Sequence, residues 1–350
     1  MLLTLAAFIV TVGVIVIIHE FGHFVAARLT GMRVKRFSIG FPPKMLSRKI
    51  GQTEWMISWI PLGGYVQIAG MVDESLEEDG ITGAPDEFMS KNPLQKTFVL
   101  SAGVLMNYLL AFVLVAMLTA VYGVGEIEGT TVGDVIPDMP AAAAGVQVGD
   151  RIVAVNSVET PTWRALVTAI GGAGDTVRFT LERATGESVE LLIPTKASEE
   201  GPPRRVVGIV PKTIARAATP GEVVNRGWSY CSQKTTEILR FFGGLVTGRS
   251  SFSDLAGPIG MARLSGETAR LGPSVFLQFI AFVSVSIGFL NILPLPVLDG
   301  GHIVYVIVEA IRKRPIPTRV KLRIQQAGMA LLLALVVAVS YHDILRIFSN

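Results

Sequence analysis

Four stretches of the chain are apolar over lengths close to the ~20 residues that an α-helix needs to cross a bilayer. The sequence between them is more polar and contains the turn-forming residues. This pattern predicts a polytopic α-helical membrane protein with four transmembrane helices. The four stretches are Leu2–Leu29, Phe98–Tyr122, Val275–Leu298 with an apolar continuation to Ile311, and Ile324–Val339.

The loop after the first apolar stretch contains short segments rich in strand-forming residues. These segments are Arg33–Phe41, Thr53–Ile60 and Tyr65–Ile68, and a Pro-Leu-Gly-Gly sequence separates the last two. We therefore predict a small antiparallel β-sheet at the membrane surface. Such a sheet either is a packed connector or provides an edge strand that pairs with an extended peptide. The sequence leaves both roles open.

The middle of the chain, residues 125–212, is predicted to form an α+β domain. Within it, the segment from Pro140 to Asn156 resembles the core signature of bacterial PDZ domains, with Gly145, Gly149 and Asp150 at turn positions. The resemblance implies one inserted PDZ domain, which would bind an extended peptide by strand addition. The predicted elements are strands at Thr131–Ile136, Arg151–Val155, Val177–Glu182, Ser188–Ile193 and Val206–Val210, and a helix at Thr162–Ile170.

These patterns divide the chain into four regions. Residues 1–124 form an N-terminal membrane region with two spans and the sheet, and residues 125–212 form the PDZ domain. Residues 213–274 contain an amphipathic helix at Pro220–Gly248 and a loop broken by glycine and proline. Residues 275–350 form a C-terminal membrane region with the third and fourth spans.

Composition and charge agree with a membrane protein. Hydrophobic residues make up 50% of the chain and charged residues 17%, and nothing in the modest net charge of +3 suggests a nucleic-acid partner. The single cysteine, Cys231, excludes an intrachain disulfide and a zinc site built from cysteines. Lysine and arginine concentrate in residues 28–49 and 312–323, which places these loops in the cytoplasm. Both termini and the PDZ domain are then extracytoplasmic.

Two histidines and a glutamate lie inside the first apolar stretch, in the order His19-Glu20-Phe21-Gly22-His23. An ionisable residue at the centre of a membrane helix costs at least ~2.5–3.5 kcal/mol, so its presence there indicates a function. A spacing of four residues puts both imidazoles on one face of a helix, about one turn apart. His19 and His23 can therefore bind one Zn²⁺ while Glu20 faces the water that the metal activates.

The third apolar stretch ends in a segment with two prolines and two glycines, from Asn291 to Gly301. A broken helix at membrane depth is tolerated where the backbone is buried in protein or lines a cavity. Asp299 is a second ionisable residue at this depth, and a carboxylate is a suitable third zinc ligand that leaves the fourth position to water. The first and third spans run in the same direction and carry their motifs late, so the motifs should lie at similar depth. The alternative role for Asp299 is a helix cap at the interface.

The second apolar stretch carries Gly103 and Asn107 four residues apart, and hence on one helix face. A small residue permits close contact between helices, and an asparagine can hydrogen-bond across the interface. A packing role is the simpler interpretation.

The two motifs and the PDZ segment together resemble the site-2 protease family, and in particular its bacterial branch of the regulator of sigma-E protease type. The segment from Leu255 to Gly260 is also similar to that branch, whereas Val104 stands where the family commonly has proline. The resemblance implies an intramembrane zinc endoprotease of the bacterial inner membrane. In the family's pattern, the zinc ligands are His19, His23 and Asp299, the general base is Glu20, and Asn291 helps to hold the substrate backbone.

The resemblance also implies a class of substrate. The substrate would be a single-span membrane protein already shortened on its extracytoplasmic side, such as an anti-sigma factor or a signal-peptide remnant. The sheet after the first span would guide the unwound substrate.

Two other functions compete with proteolysis. A metal or proton transporter would also place His, Glu and Asp in its spans, although the chain shows no inverted repeat. An inactive scaffold that presents the PDZ domain would not need Glu20.

Overall fold

The computed structural model describes residues 1–71, 82–198, 205–251 and 257–349. Its helices are α1 (Leu2–Leu29), α2 (Pro93–Tyr122), α3 (Pro140–Ala143), α4 (Trp163–Gly171), α5 (Pro220–Thr247), α6 (Pro258–Leu271), α7 (Pro273–Asn291), α8 (Asp299–Arg312) and α9 (Thr318–Ser349). Its strands are β1 (Val34–Ile50), β2 (Thr53–Ile68), β3 (Val124–Val135), β4 (Arg151–Val155), β5 (Val158–Glu159), β6 (Thr176–Glu182), β7 (Ser188–Pro194), β8 (Lys196–Ala197), β9 (Arg205–Val206) and β10 (Ile209–Arg216).

The prediction of four long apolar helices is confirmed. Among the described residues, the helices long and apolar enough to cross a membrane are Leu2–Leu29, Pro93–Tyr122, Pro273–Asn291 and Thr318–Leu345. The second begins before the predicted Phe98 because Asn92 and Gln95 cap its start, each side chain accepting a hydrogen bond from the backbone N–H of the other. The third ends at Asn291 rather than Leu298, since Pro294 and Pro296 interrupt any continuation.

The chain folds as two compact units. One contains Met1–Leu118 and Pro220–Asn350, and the other contains Thr119–Thr219.

In the first unit, β1 and β2 form the predicted antiparallel sheet beside α1. Both strands bend, so that the segment Arg36–Ile39 faces Glu54–Ile57 on one side and Gly64–Gln67 on the other. The ring of Phe24 on α1 lies 5.1 Å from that of Trp55 and joins the sheet to the helix. Among the described residues, no third strand joins this sheet, so the segment around Gly64–Val66 lies at its edge.

Helix α6 is an element that the sequence did not predict. The sequence predicts a Gly/Pro-broken loop at Asp254–Gly260, of which residues 254–256 lie outside the described part of the chain. From Pro258 onward the chain is helical, because proline is favoured in the first helical turn. The buried carboxylate of Asp343 on α9 accepts hydrogen bonds from the backbone N–H groups of Gly257 and Gly260, at 3.2 and 2.8 Å. It caps the start of α6 and ties it to α9.

Replacing this cap is expected to destabilise the first unit. Asp343→Ala leaves two N–H groups at the start of α6 without an acceptor, which costs about 2 kcal/mol in the free energy of unfolding. Thermal unfolding in detergent should show a lower Tm for this variant. Glu237→Ala, at an exposed acid paired with Lys234 on its own helix, is the matched control and should leave Tm within error. Equal Tm values for the two variants would contradict the capping role.

The second unit is built on a six-stranded sheet. Its strand order is β10-β3-β4-β6-β7, with β5 added beside β4. Strands or a helix are present at the predicted positions, except that the strand predicted at Val206–Val210 is interrupted, with β9 ending at Val206 and β10 beginning at Ile209. Alternate residues of the strands face one core with Leu166 of α4, where Phe179 and Leu181 are fully buried. Asp150, buried at the turn before β4, accepts hydrogen bonds from Arg183 and from the backbone N–H of Gln147.

Candidate metal centre

Helix α1 carries both histidines of the sequence motif on its buried face. The side chains of His19 and His23 are one turn apart, and each residue is 8% exposed. Gly22, between them, lies against the backbone of Ala102 on α2, where a larger residue would collide with the Ala102 carbonyl. This glycine therefore lets α1 and α2 approach closely at the depth of the histidines.

The carboxylate comes from the other end of the chain. Helix α7 ends at Asn291, and after a short loop α8 begins at Asp299. Gly300 and Gly301 pack so tightly against the loop carbonyls of Ile292 and Leu295 that no Cβ atom would fit. The two glycines thus hold the first turn of α8 against the loop and fix the position of Asp299.

The three side chains meet at one point. Asp299 Oδ2 lies 3.2 Å from His19 Nε2 and 3.4 Å from His23 Nε2, and the two Nε2 atoms are 3.2 Å apart. Ligand atoms that bind a tetrahedral Zn²⁺ at ~2.0–2.1 Å lie roughly 3.3 Å from one another. The observed separations therefore match three corners of a zinc coordination sphere. Two histidines and one carboxylate are also a donor set that leaves the fourth position open, as catalytic zinc sites require.

Hydrogen bonding also favours a cation at this point. His23 Nδ1 lies 2.8 Å from the carbonyl oxygen of Val99, which can only accept, so the hydrogen of the neutral ring is on Nδ1 and Nε2 presents a lone pair. Asp299 Oδ2 is buried and makes no well-aligned hydrogen bond with any described residue. The lone pair of His23 Nε2 and the buried carboxylate oxygen, which meet here, are stabilised by a bound cation.

A cleft of about 500 Å³ opens at the three side chains. Glu20 and Asn291 line it, as do Tyr65 and Val66 from the edge of the sheet. The structure thus brings all five predicted site residues to one cavity, with three of them in mutual contact and two on its wall.

Sequence reasoning missed three groups around this centre. The carbonyl of Val99 carries no sequence signal, because every residue has one. Asn107 was noticed only as a packing residue, yet its amide nitrogen lies 3.2 Å from His19 Nδ1. The sequence does not assign a role to His302; in the structure it lines the cleft, and its Nε2 lies 3.3 Å from the amide nitrogen of Gln325.

Comparison with known proteins is consistent with this chemistry. The model of Peptidase family M50 matches residues 7–335. A protein from Agrobacterium fabrum named as a zinc metalloprotease is 33% identical, covering 96% of this chain and 94% of its own. One from Rickettsia conorii with the same description is 32% identical, covering 99% of this chain and 100% of its own. The zinc metalloprotease RasP of Geobacillus kaustophilus is 27% identical, and the match covers 99% of this chain and 98% of RasP.

A partial similarity to a solved structure was also found. The PDZ domain of the SdrC-like protein from Listeria innocua covers 26% of this chain and 99% of its own, with 22% identity and a TM-score of 0.22. The assignment rests instead on the match of the family model to most of the chain. The chain belongs to peptidase family M50, the site-2 protease family of zinc metalloproteases.

Proposed function

We propose that this zinc metalloprotease cuts single-span membrane proteins within the bilayer, at the centre formed by His19, His23 and Asp299. One observation carries the proposal: three ligand atoms converge at zinc-ligand spacing, two of them from a helix that is apolar enough to span a membrane and the third from the first turn of α8. Ionisable groups are retained at such depth when they serve a reaction or a transport path.

Each residue has a distinct role in the proposed reaction. His19, His23 and Asp299 would hold Zn²⁺, which supplies the Lewis acidity that activates water and polarises the scissile carbonyl. Glu20 lines the cleft beside them and takes the proton from the attacking water. The same carboxyl group then returns a proton to the leaving amine.

The substrate must unwind before it can be cut, because a helix hides its carbonyls in internal hydrogen bonds. The edge of the sheet at Gly64–Val66 borders the cleft and can pair with an extended segment, which replaces the lost hydrogen bonds. Asn291, at the end of α7, also lines the cleft, and its amide can bind the substrate backbone. We therefore assign the sheet to substrate binding rather than to a connector.

The second unit acts, in this proposal, as a PDZ domain on the extracytoplasmic side of a bacterial inner membrane, where both termini also lie. A groove of about 510 Å³ between α4 and β10 is lined by apolar residues such as Trp163 and Val207, with Lys196 and Arg205 also lining it. Such a groove can bind the shortened end of a substrate, and the unit can exclude bulky ectodomains. Anti-sigma factors and signal-peptide remnants that have already been cut outside the membrane are the substrates that fit this scheme.

The proposal is tested with the purified protein in lipid nanodiscs and a model single-span substrate. We expect zinc-dependent cleavage at a bond inside the apolar span, lost on chelation and restored by Zn²⁺, with the bond identified by mass spectrometry. In parallel, the protein in sealed vesicles should move neither Zn²⁺ nor protons. Ion flux without cleavage would establish a transporter instead, and zinc binding with neither activity would establish a scaffold.

A further inference from the structure

One face of α2 lies along the two histidines of α1. Val99, Gly103 and Asn107 recur at intervals of four residues, so they form a single stripe on that helix. Val99 faces His23, Asn107 faces His19, and Gly103 lies close to both rings. The two histidines of α1 are thus matched by two hydrogen-bonding groups of α2.

The first of these groups fixes the orientation of His23. The Val99 carbonyl accepts a hydrogen bond from Nδ1–H and leaves Nε2 free to bind a metal. A metal-binding histidine generally donates its other ring N–H to such an acceptor, which sets both the tautomer and the angle of the ring.

The second group, Asn107, occupies the same position relative to His19. Its side chain is fully buried, and the amide lies 3.2 Å from His19 Nδ1. The amide nitrogen and oxygen exchange places by a half-turn of the group, and only the oxygen can accept from Nδ1–H. In that orientation Nε2 presents its lone pair towards His23 and Asp299; in the other, Nε2 carries the hydrogen and cannot bind a metal.

A packing role alone does not account for a buried amide here. Asn107 Oδ1, as placed, has no hydrogen-bond partner among the described residues, and an unsatisfied buried polar atom costs about 1–3 kcal/mol. An apolar side chain of similar size would avoid this cost. Ser284 of α7 donates a hydrogen bond at 2.8 Å to the backbone carbonyl of Asn107, not to its side-chain amide.

We infer that Asn107 is a positioning residue of the metal centre: its side-chain oxygen accepts a hydrogen bond from His19 Nδ1–H and so directs His19 Nε2 to the metal. The inference rests on the proposed assignment of His19 as a zinc ligand. It extends the centre to a fourth side chain that touches neither metal nor substrate.

The test measures zinc affinity by competition with a chromophoric chelator, on full-length protein in detergent. Asn107→Leu removes the acceptor while keeping the branched shape of the side chain, and should weaken zinc binding by about 10–100-fold, the usual effect of removing such a partner. Asn107→Ala, which also lacks the acceptor but adds no bulk, should do the same and serves if the leucine variant does not fold. Asn107→Asp retains an acceptor oxygen and should bind zinc much more tightly than either apolar variant.

Two further variants separate the possible outcomes. Ser284→Ala removes the hydrogen bond to the backbone of Asn107 but not the amide, and should leave zinc affinity unchanged. The inference about Asn107 would be overturned if a folded apolar variant at position 107 bound zinc with wild-type affinity. It would also be overturned if Asn107→Asp and Asn107→Leu lost zinc affinity equally. Either result would leave the proposed metal centre intact. If His19→Ala itself keeps wild-type affinity, the proposed metal centre fails as well.

Discussion

Glu20→Gln is expected to reduce cleavage of a membrane substrate by about 10²–10⁴-fold, the range that a positioned general base contributes. Glutamine has the same size and still hydrogen-bonds, but it cannot take a proton from water. His19, His23 and Asp299 are unchanged, so the variant should bind zinc like the wild type. Cleavage rates in nanodiscs and zinc content by atomic absorption measure the two effects independently.

The matched control for this change is Glu267→Gln. Glu267 is a surface residue of α6 paired with Arg263 on the same helix, so its replacement should alter neither rate nor zinc content. Wild-type cleavage by Glu20→Gln would exclude Glu20 as the base. Loss of zinc together with activity would instead make Glu20 a ligand.

Gly103→Ala is expected to lower the cleavage rate by about 100-fold through the metal centre itself. An added Cβ atom would lie 2.7 Å from Cε1 and Nε2 of His19, and still closer to Nε2 of His23. Carbon atoms do not approach so closely, so the rings must move, and displacements of about 1 Å at a reacting centre cost on the order of 10²-fold in rate. Zinc affinity should fall in parallel, measured by chelator competition.

Gly13→Ala provides the comparison on α1. A Cβ atom at Gly13 meets no described atom within 4 Å, so this variant should retain rate, zinc affinity and Tm. If Gly103→Ala cleaves at the wild-type rate with unchanged zinc affinity, the close approach of α2 to the two histidines has no role in the reaction. A lower cleavage rate and a lower zinc affinity in both variants would indicate that α1 and α2 are sensitive to any substitution.

The sequence predicted the helices well because their pattern is imposed by the solvent. A bilayer requires ~20 consecutive apolar residues, and this length is visible without knowledge of the fold. The predicted helix boundaries were less accurate where a local interaction decides them. At the start of α2, for example, Asn92 caps the helix and extends it beyond the apolar stretch. Helix α6 was missed because its start depends on Asp343, a residue of α9 that is distant in the sequence.

The candidate site was predictable to the extent that its chemistry is unusual in lipid. His19, His23 and Asp299 are conspicuous because charge is costly there, and the structure brings them within ligand distance. The parts supplied by backbone geometry could not be predicted. The carbonyl of Val99 and the space left by Gly103 become visible only when α1 and α2 are packed together.

The distance in sequence between the two halves of the metal centre has a consequence for biosynthesis. The histidine pair and the face of α2 that contacts it are complete once the first two apolar helices have entered the membrane, whereas the carboxylate arrives only with α8, after the second unit and α7 have been translated. A growing chain therefore lacks a complete set of ligands until α8 has been made. Under the proposed function, the growing chain therefore cannot cut neighbouring membrane proteins, or itself, before α8 is in place.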